Sequence, residues 1–155
     1  MLRAMRAGDF PAYAAMVARP EARFMGGPFG TADAWRLFCA DHAQWSFYGV
    51  GALMLDLRAT GACAGQVAIN AGPLFPEHEL GWLLYPEARG QGLAHEAARA
   101  MRDWGFHVRV LGTLVSYVDP GNLASCRLAE RLGAWRDETA TRPDPADVVY
   151  RHPRR

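Results

Sequence analysis

One segment constrains the fold more than any other: ELGWLLYPEARGQGLAHEAARAM, residues 79–101. It joins an apolar, strand-like stretch to an alanine-rich helix through a short turn that contains Gly90 and Gly92. From Leu93 to Gly105 the apolar and small residues recur at helical spacing. A helix that begins directly after glycines offers free backbone amides and the positive end of its dipole. We therefore expect this turn to hold an anion, the alternative being an ordinary turn with incidental glycines.

The basic residues narrow the kind of phosphate group that the turn can bind. All 17 are arginine, and the sequence contains no lysine. A P-loop needs a lysine followed by serine or threonine, so a nucleoside triphosphate with its magnesium is not expected. The dinucleotide fingerprint is also missing, because no third small residue stands at the required spacing and the helix comes too late in the chain.

Composition indicates one ordinary globular domain over residues 1–155. Half of the residues are hydrophobic, and the net charge of +1 gives no support to nucleic-acid or membrane binding. No apolar run approaches the length of a membrane span. The five histidines form no ligand pattern, so no metal is expected. Three dispersed cysteines favour a reduced, cytoplasmic setting: Cys39, Cys63 and Cys126.

The first half of the chain predicts two helices and a hairpin. FPAYAAMV has helical spacing after Asp9, which suits an N-cap, and Thr31 is a candidate cap for ADAWRLFCADHAQW. The segments FYGVGALMLDLR and CAGQVAIN, separated by ATG, predict two antiparallel strands.

The second half predicts further strands and one more helix. ELGWLLY and GTLVSYV have strand character on either side of the helix that follows Gly92. Asn122 is a suitable N-cap for LASCRLAERL, and Gly133 suits its C-terminal stop. ADVVYRH predicts a terminal strand. The pattern indicates a mixed α+β domain with a largely antiparallel sheet.

The glycine turn resembles a family signature. Arg89, Gly92 and Ala94 match the Gln/Arg-x-x-Gly-x-Gly/Ala motif of the GCN5-related N-acetyltransferases (GNAT). The run from ELGWLLY to WGF, with VSYVDPGNLASCRLAERLGA after it, is similar to the RimJ/RimL-like branch, the ribosomal-protein-alanine acetyltransferases. Upstream, MRAGDFPAY, RFMGGPF and ATGACAGQVAI match that branch in the same order, so the resemblance covers most of the chain.

The resemblance implies a fold and a cosubstrate. The fold would be a central, mostly antiparallel sheet of six to seven strands with splayed middle strands, flanked by about four helices. Acetyl-CoA would lie with its pyrophosphate at the glycine turn and its pantetheine arm along GWLLY, and an amide near Leu83 would polarise the thioester carbonyl. The residues implied in binding it are Leu83, Leu84, Tyr85, Arg89, Gly90, Gln91, Gly92, Leu93, Ala94, Asn122, Ser125 and Arg127.

Glu79 is the candidate general base. It lies at the start of the strand that would carry the pantetheine, and alternation places it on one face with Gly81, Leu83 and Tyr85. A partly buried carboxylate there would accept the proton of an amine nucleophile. The alternative is an acid at a strand end that orients a loop, and Glu77 and His78 are further candidates for the same task.

The acid that usually protonates the thiolate is missing. Many members of the family have a tyrosine seven residues after the asparagine, and here that position is Ala129. In the RimJ/RimL-like branch a serine three residues after the asparagine is the substitute, which is Ser125 here. Asn122 and Ser125 also suit the N-cap and N3 positions of the helix, and we expect a dual role, in capping and in contact with the arm of the cosubstrate. Tyr117 is another possible donor, with a place in the core as its alternative.

The acceptor is the least constrained part of the prediction. The early helices and loops would shape its pocket, with an apolar lining from Phe24, Met25, Phe29 and Trp35. A protein N-terminus, an amino acid or another small amine would fit, and the chain would be a monomer or homodimer. Two alternative hypotheses remain: a catalytically silent acyl-CoA-binding module, and a transferase for another acyl group.

Overall fold

The computed structural model describes residues 1–154, which form a seven-stranded sheet and four α-helices. The strands are β1 (Leu2–Ala4), β2 (Ala52–Asp56), β3 (Cys63–Asn70), β4 (Glu79–Leu84), β5 (Val115–Val118), β6 (Trp135–Arg136) and β7 (Val148–Arg151). The helices are α1 (Phe10–Val17), α2 (Thr31–Tyr48), α3 (Leu93–His107) and α4 (Leu123–Arg131). Short 3₁₀ turns cover Ala7–Asp9, Pro20–Met25 and Pro86–Ala88.

The sheet has the order β1-β2-β3-β4-β5-β7-β6. Every neighbouring pair is antiparallel except β4 and β5, which are parallel and meet only at Glu79 and Val115. Beyond that pair the two middle strands separate toward their C-terminal ends. This arrangement confirms the predicted fold class, including its splayed middle strands.

Helices cover both faces of the sheet, and β4 contributes to each side. Leu80 packs with Ala98 and Met101 of α3 in one apolar core. Leu83 packs with Tyr13 of α1 and Phe38 of α2 in a second core on the opposite face. Successive strand residues point to opposite faces, so this division follows from the strand geometry.

Helix α4 begins and ends as its sequence predicts. The Asn122 side chain accepts a hydrogen bond from the Ser125 backbone N–H, and Gly133 has a left-handed φ of 83° just after the helix. Its buried residues Cys126 and Ala129 pack against Val118 of β5. The start of α4 therefore lies at the separating end of β5.

Three local predictions were wrong. Phe47 and Tyr48, assigned to a strand, belong to α2, which continues until Gly49 adopts a left-handed φ of 66°. Gly30 is the N-cap of α2, and Thr31 is its first helical residue. Asp9 does not cap α1 through its side chain; it pairs with Arg3 at 2.7 Å and accepts the Arg6 backbone N–H.

The outer strands β1 and β6 have no counterpart among the predicted elements. They contain three and two residues, which is too short for the alternation of a strand to be visible in the sequence. None of the helices within residues 1–154 is long and apolar enough to cross a bilayer.

We expect Gly65→Ala to destabilise the protein strongly, since a Cβ there would lie 2.1 Å from the Leu83 carbonyl oxygen. Gly61→Ala is the matched control: Gly61 also has a positive φ, 71°, but a Cβ there meets no atom within 4 Å. Chemical denaturation should show a loss of about 1–2 kcal/mol for Gly61→Ala, from the backbone conformation alone. Gly65→Ala should lose clearly more, and equal losses would contradict the close approach of β3 and β4.

Candidate active site

The turn before α3 is open to a ligand. Gly90 and Gly92 have left-handed φ values of 76° and 78°, and Gly92 is the N-cap of α3. A Cβ at either position would find no atom within 4 Å, and no side chain caps the helix. The first-turn amides, which include those of Leu93 and Ala94, therefore face free space at the positive end of the helix dipole. This geometry fits a phosphate or pyrophosphate.

Arg89 and Gln91 hold this turn in place. The Arg89 guanidinium donates to the Leu84 carbonyl at 3.3 Å and lies 3.8 Å from the Glu21 carboxylate. The Gln91 side-chain amide donates to the Glu87 carbonyl at 3.0 Å. Both residues are exposed, so their side chains have room to contact a bound anion as well.

The separation of β4 from β5 leaves backbone groups of β4 unpaired. The His78 carbonyl accepts from the Val115 N–H, and the Leu80 carbonyl accepts from the Ser116 hydroxyl, so the even-numbered backbone groups face β5. By the same alternation the amides of Trp82 and Leu84 face the gap, where β5 no longer pairs with them. The amide of Leu83 faces β3 instead.

A buried pair closes the narrow end of this gap. The Ser116 hydroxyl lies 2.9 Å from Nε2 of His152 while it donates to β4. Burial lowers the pKa of His152 to about 4, so the imidazole is neutral. The pair joins β4, β5 and the end of β7 where the β4–β5 ladder stops. Sequence patterns gave no indication of it.

A cavity of about 490 Å³ occupies the gap and extends across the face covered by α1 and α2. Its wall brings together residues from five elements: Asp41 of α2, Asn70 of β3, Glu79 of β4, Tyr117 of β5 and Ser125 of α4. The cavity is thus lined by backbone of the separated strands, by two candidate catalytic groups and by further polar side chains.

Glu79 has the properties of a general base near neutral pH. Burial raises its pKa to about 7, although the Asn70 side chain and the Tyr117 backbone donate hydrogen bonds that favour the ionised form. The Asn70 contact is 2.9 Å long. The Gln44 side chain in turn donates to Oδ1 of Asn70 at 3.3 Å and accepts the Ala71 backbone N–H at 2.7 Å. These contacts fix the orientation of the carboxylate from behind.

The other candidate bases are engaged or disfavoured. The Arg151 guanidinium holds Glu77 through two contacts of 2.8 and 2.9 Å and lowers the pKa of its carboxyl. Burial lowers the pKa of His78. The Tyr117 hydroxyl accepts the Glu77 backbone N–H at 3.2 Å, and it lines the cavity without contacting Ser125. Of the two candidate carboxylates, Glu79 lines the cavity and has a raised pKa, whereas Glu77 lies outside the cavity wall and has a lowered pKa.

Ser125 is oriented by Trp82, which is not among the site residues predicted from the sequence. The Trp82 indole N–H donates to the Ser125 hydroxyl oxygen at 3.2 Å. An indole N–H can only donate, so the serine's own proton is directed elsewhere. Ala129, where many relatives of this motif have tyrosine, is fully buried and leaves no room for a tyrosine ring without repacking.

The predicted acceptor residues divide into two groups. Phe24 and Met25 line the cavity. Phe29 packs within the core beneath α1 and α2, and Trp35 stacks on Phe38 while remaining 46% exposed. The structure does not bring these last two to the cavity wall. Arg127 is exposed on the outer side of α4, in a shallow depression.

Asp41 is a cavity residue that the sequence gave no reason to select. It lies on α2, and its Oδ2 accepts from Gln66 at 3.2 Å and from the Tyr13 hydroxyl at 3.4 Å. Burial raises the pKa of this carboxyl to about 6. Helical spacing alone does not separate it from Asp33, the exposed acid of the same helix, because only the fold brings Tyr13 and Gln66 to Asp41.

The site therefore combines an uncapped helix N-terminus that suits an anion, a free strand edge, and a cavity that contains a carboxylate with a pKa near neutral. The family described as acetyltransferase (GNAT) domain matches residues 1–134. The chain belongs to the GNAT acetyltransferase family. This confirms the predicted family and enzyme class, whereas the RimJ/RimL-like branch is not specifically supported.

Two solved acetyltransferase structures and one uncharacterised relative are similar to this chain. An acetyltransferase from Agrobacterium tumefaciens str. C58 is 53% identical, with a TM-score of 0.94 over 97% of this chain and 88% of its own. A GNAT-family acetyltransferase from Bordetella pertussis is 26% identical, with a TM-score of 0.77 over 98% and 94%. YkkB of Bacillus subtilis (strain 168), which is uncharacterised, is 34% identical over 66% of this chain. The match spans 61% of YkkB.

The raised pKa of Glu79 predicts a pH-dependent effect on stability. Between its ordinary value of 4.5 and about 7, the folded protein holds a proton that the unfolded chain has released. The contribution of Glu79 to stability therefore falls as the pH rises through this window, and Glu79→Gln removes the loss. We expect the melting temperature of Glu79→Gln relative to wild type to increase between about pH 5.5 and pH 8.5.

Glu77→Gln is the matched control for this measurement. Its pKa is lowered by Arg151, so its stabilising contribution is complete above the unfolded pKa of about 4.5. The stability lost in Glu77→Gln should be the same at both pH values. A constant difference for Glu79→Gln as well would show that the Glu79 carboxyl is not protonated at pH 5.5.

Proposed function

We propose that this protein is an acetyl-CoA-dependent N-acetyltransferase that moves an acetyl group directly from the thioester to a primary amine. One observation carries the proposal: the uncapped N-terminus of α3 and the cavity at Glu79 are connected by the unpaired edge of β4. Coenzyme A has a pyrophosphate and an amide-bearing arm, which match the first two features. When bound, acetyl-CoA supplies the activated acetyl group.

The donor contacts follow the order of the chain. The amides from Gln91 to Ala94 bind the pyrophosphate, with Arg89 beside them. The backbone of Trp82 and Leu84 pairs with the amides of the arm, in the place that β5 leaves free. In this proposal the Trp82 amide takes the role of hydrogen-bond donor to the thioester carbonyl, because the amide of Leu83 is directed to β3.

The transfer itself needs two proton-handling groups. Glu79 accepts the proton of the attacking amine as the C–N bond forms and the C–S bond breaks. Ser125 donates a hydrogen bond to the sulfur as negative charge develops there, which its contact with Trp82 leaves it free to do. The products are the N-acetyl amine and the thiolate of coenzyme A, which takes up the proton held by Glu79, directly or through solvent.

The acceptor is a primary amine that enters across the face covered by α1 and α2. The RimJ/RimL-like resemblance makes a protein N-terminus one candidate and a small-molecule amine another. Both bring an amine that must lose its proton before attack, which is the task assigned to Glu79. Phe24 and Met25 contribute apolar surface at this entrance.

The donor site can be tested by placing a carboxylate in the turn. Gly92→Glu puts bulk and negative charge into the open space before α3, and we expect the Kd for coenzyme A to increase at least about 100-fold, which corresponds to roughly 2.7 kcal/mol. Gly61→Glu introduces the same side chain at a matching left-handed glycine in the β2–β3 turn and should bind as wild type does. Isothermal titration calorimetry measures both.

The outcomes of this test separate the alternatives. Unchanged affinity in Gly92→Glu would contradict the assignment of the turn as the pyrophosphate site. If the wild-type protein binds coenzyme A tightly but releases no thiol from acetyl-CoA with any amine or peptide, a silent acyl-CoA-binding module is favoured. If thiol is released from another acyl-CoA but not from acetyl-CoA, the acyl donor differs from the proposed one and the assignment of the coenzyme A site stands.

The base can be tested by its pH–rate profile. Wild-type kcat/KM should rise with pH through about 7 as Glu79 ionises, in addition to the later rise from the acceptor amine. Glu79→Gln should lose the limb near 7 and at least about 100-fold in kcat, with a much smaller change in affinity for coenzyme A. A variant that retains the limb near pH 7 would exclude Glu79 as the base.

A further inference from the structure

The proposed function does not specify which amine is the acceptor. The residues on the wall of the cavity limit the chemical class of this amine. Besides Glu79, four carboxylates line this cavity: Asp41, Asp119, Asp144 and Asp147. The single basic residue on the wall is Arg23, whose guanidinium lies 4.3 Å over the Phe24 ring. None of the ion pairs formed within residues 1–154 involves any of the five carboxylates.

Asp41 differs from Asp119, Asp144 and Asp147 because two side chains from other elements donate hydrogen bonds to its carboxylate. Its contacts from Gln66 and Tyr13 both reach Oδ2, and both donors are neutral. Among the described residues no donor contacts Oδ1, which retains access to the cavity. A carboxylate withdrawn from water gains most from a cationic partner. Residues 1–154 place no cation in an ion pair with Asp41, so a cationic group on the ligand would find this carboxylate unpaired.

The position of Asp41 relative to Glu79 sets the architecture of that ligand. Asp41 is on α2 and Glu79 is on β4, and both carboxylates line the same cavity. One amino group of the acceptor reacts at Glu79 and must be neutral to do so. A second group that remains protonated would satisfy Asp41. The wall also includes apolar residues that suit methylene groups: Leu37, Ala68 and Leu83.

We propose that the acceptor is a small aliphatic amine with a second, protonated amino group, and that Asp41 is the specificity-determining residue that binds this group. The inference rests on the proposed N-acetyltransferase function. A cavity of about 490 Å³ is within the range of small-molecule sites. Peptides that present only one amino group would leave Asp41 without a counter-ion.

The inference is tested by comparing acceptors that differ only in the second charge. Thiol release from acetyl-CoA is measured with 1,3-diaminopropane, 1,4-diaminobutane and 1,5-diaminopentane, and with the matching monoamines. An alanine-initiated peptide without other amines represents protein N-termini. We expect kcat/KM for the best diamine to exceed that of its monoamine at least about tenfold, with the advantage expressed in KM.

Asp41→Asn should remove this advantage by raising KM for the diamine at least about tenfold more than it raises KM for the matching monoamine. The asparagine keeps an oxygen for Tyr13 or Gln66 but loses the charge. Asp33→Asn is the control: Asp33 lies on the same helix, exposed and paired with Arg36 at 2.6 Å. It should retain the wild-type preference.

A binding measurement keeps the inference testable if Asp41→Asn is poorly folded. Calorimetry of 1,4-diaminobutane against the wild-type complex with coenzyme A should show binding that weakens with added salt, and butylamine should bind at least about tenfold more weakly. Equal kcat/KM for diamines and monoamines, or a preference for the peptide, would overturn the inference and leave the transferase function intact. No thiol release with any acceptor would instead contradict the proposed function.

Discussion

The single pair between β4 and β5 determines what the rest of the structure can do. A continued parallel ladder would use the backbone groups of Trp82 and Leu84 and close the sheet. Because pairing stops at Glu79 and Val115, one strand edge stays free inside a domain whose other edges are short. Ser116 and His152 secure the closed end, so the opening is a fixed feature of the fold. Helix α3 then follows β4 through the glycine turn, so the free strand edge leads to the uncapped N-terminus of this helix.

The cavity at this opening contains carboxylates that would be costly in an ordinary core. Glu79 and Asp41 are partly buried without a cationic partner in the described chain, and neutral amides and a phenol hold them in place. Neutral donors orient a carboxylate without lowering its pKa as far as an arginine does at Glu77. The two glutamates therefore differ although they are two positions apart. Glu77 is held in an ion pair with Arg151, whereas the Glu79 carboxylate has no cationic partner among the described residues and can exchange a proton.

The features that the sequence predicted are the local ones. The glycine turn, the start of α3 and the Asn122 cap each depend on residues within one turn of the chain, so their patterns were visible. Asp41 and Trp82 acquire their roles from contacts across 25 and 43 positions, with Gln66 and Ser125 respectively. No period or motif encodes such contacts. The short strands β1 and β6 were not predicted for a related reason, because they are defined by pairing with a neighbouring strand and not by a pattern in their own residues.

This division has a consequence for how specificity is built. The proposed donor site lies on one continuous stretch, from β4 through the glycine turn into α3, and its main contacts are backbone amides that tolerate many side chains. The acceptor wall is assembled from α1, α2, β3 and the loop before β7, and its contacts are side chains. A substitution on α2 can therefore alter the charge offered to the acceptor without moving the backbone that binds the donor. Asp41 occupies such a position, since its neighbours Tyr13 and Gln66 belong to the acceptor face and neither lies in the glycine turn.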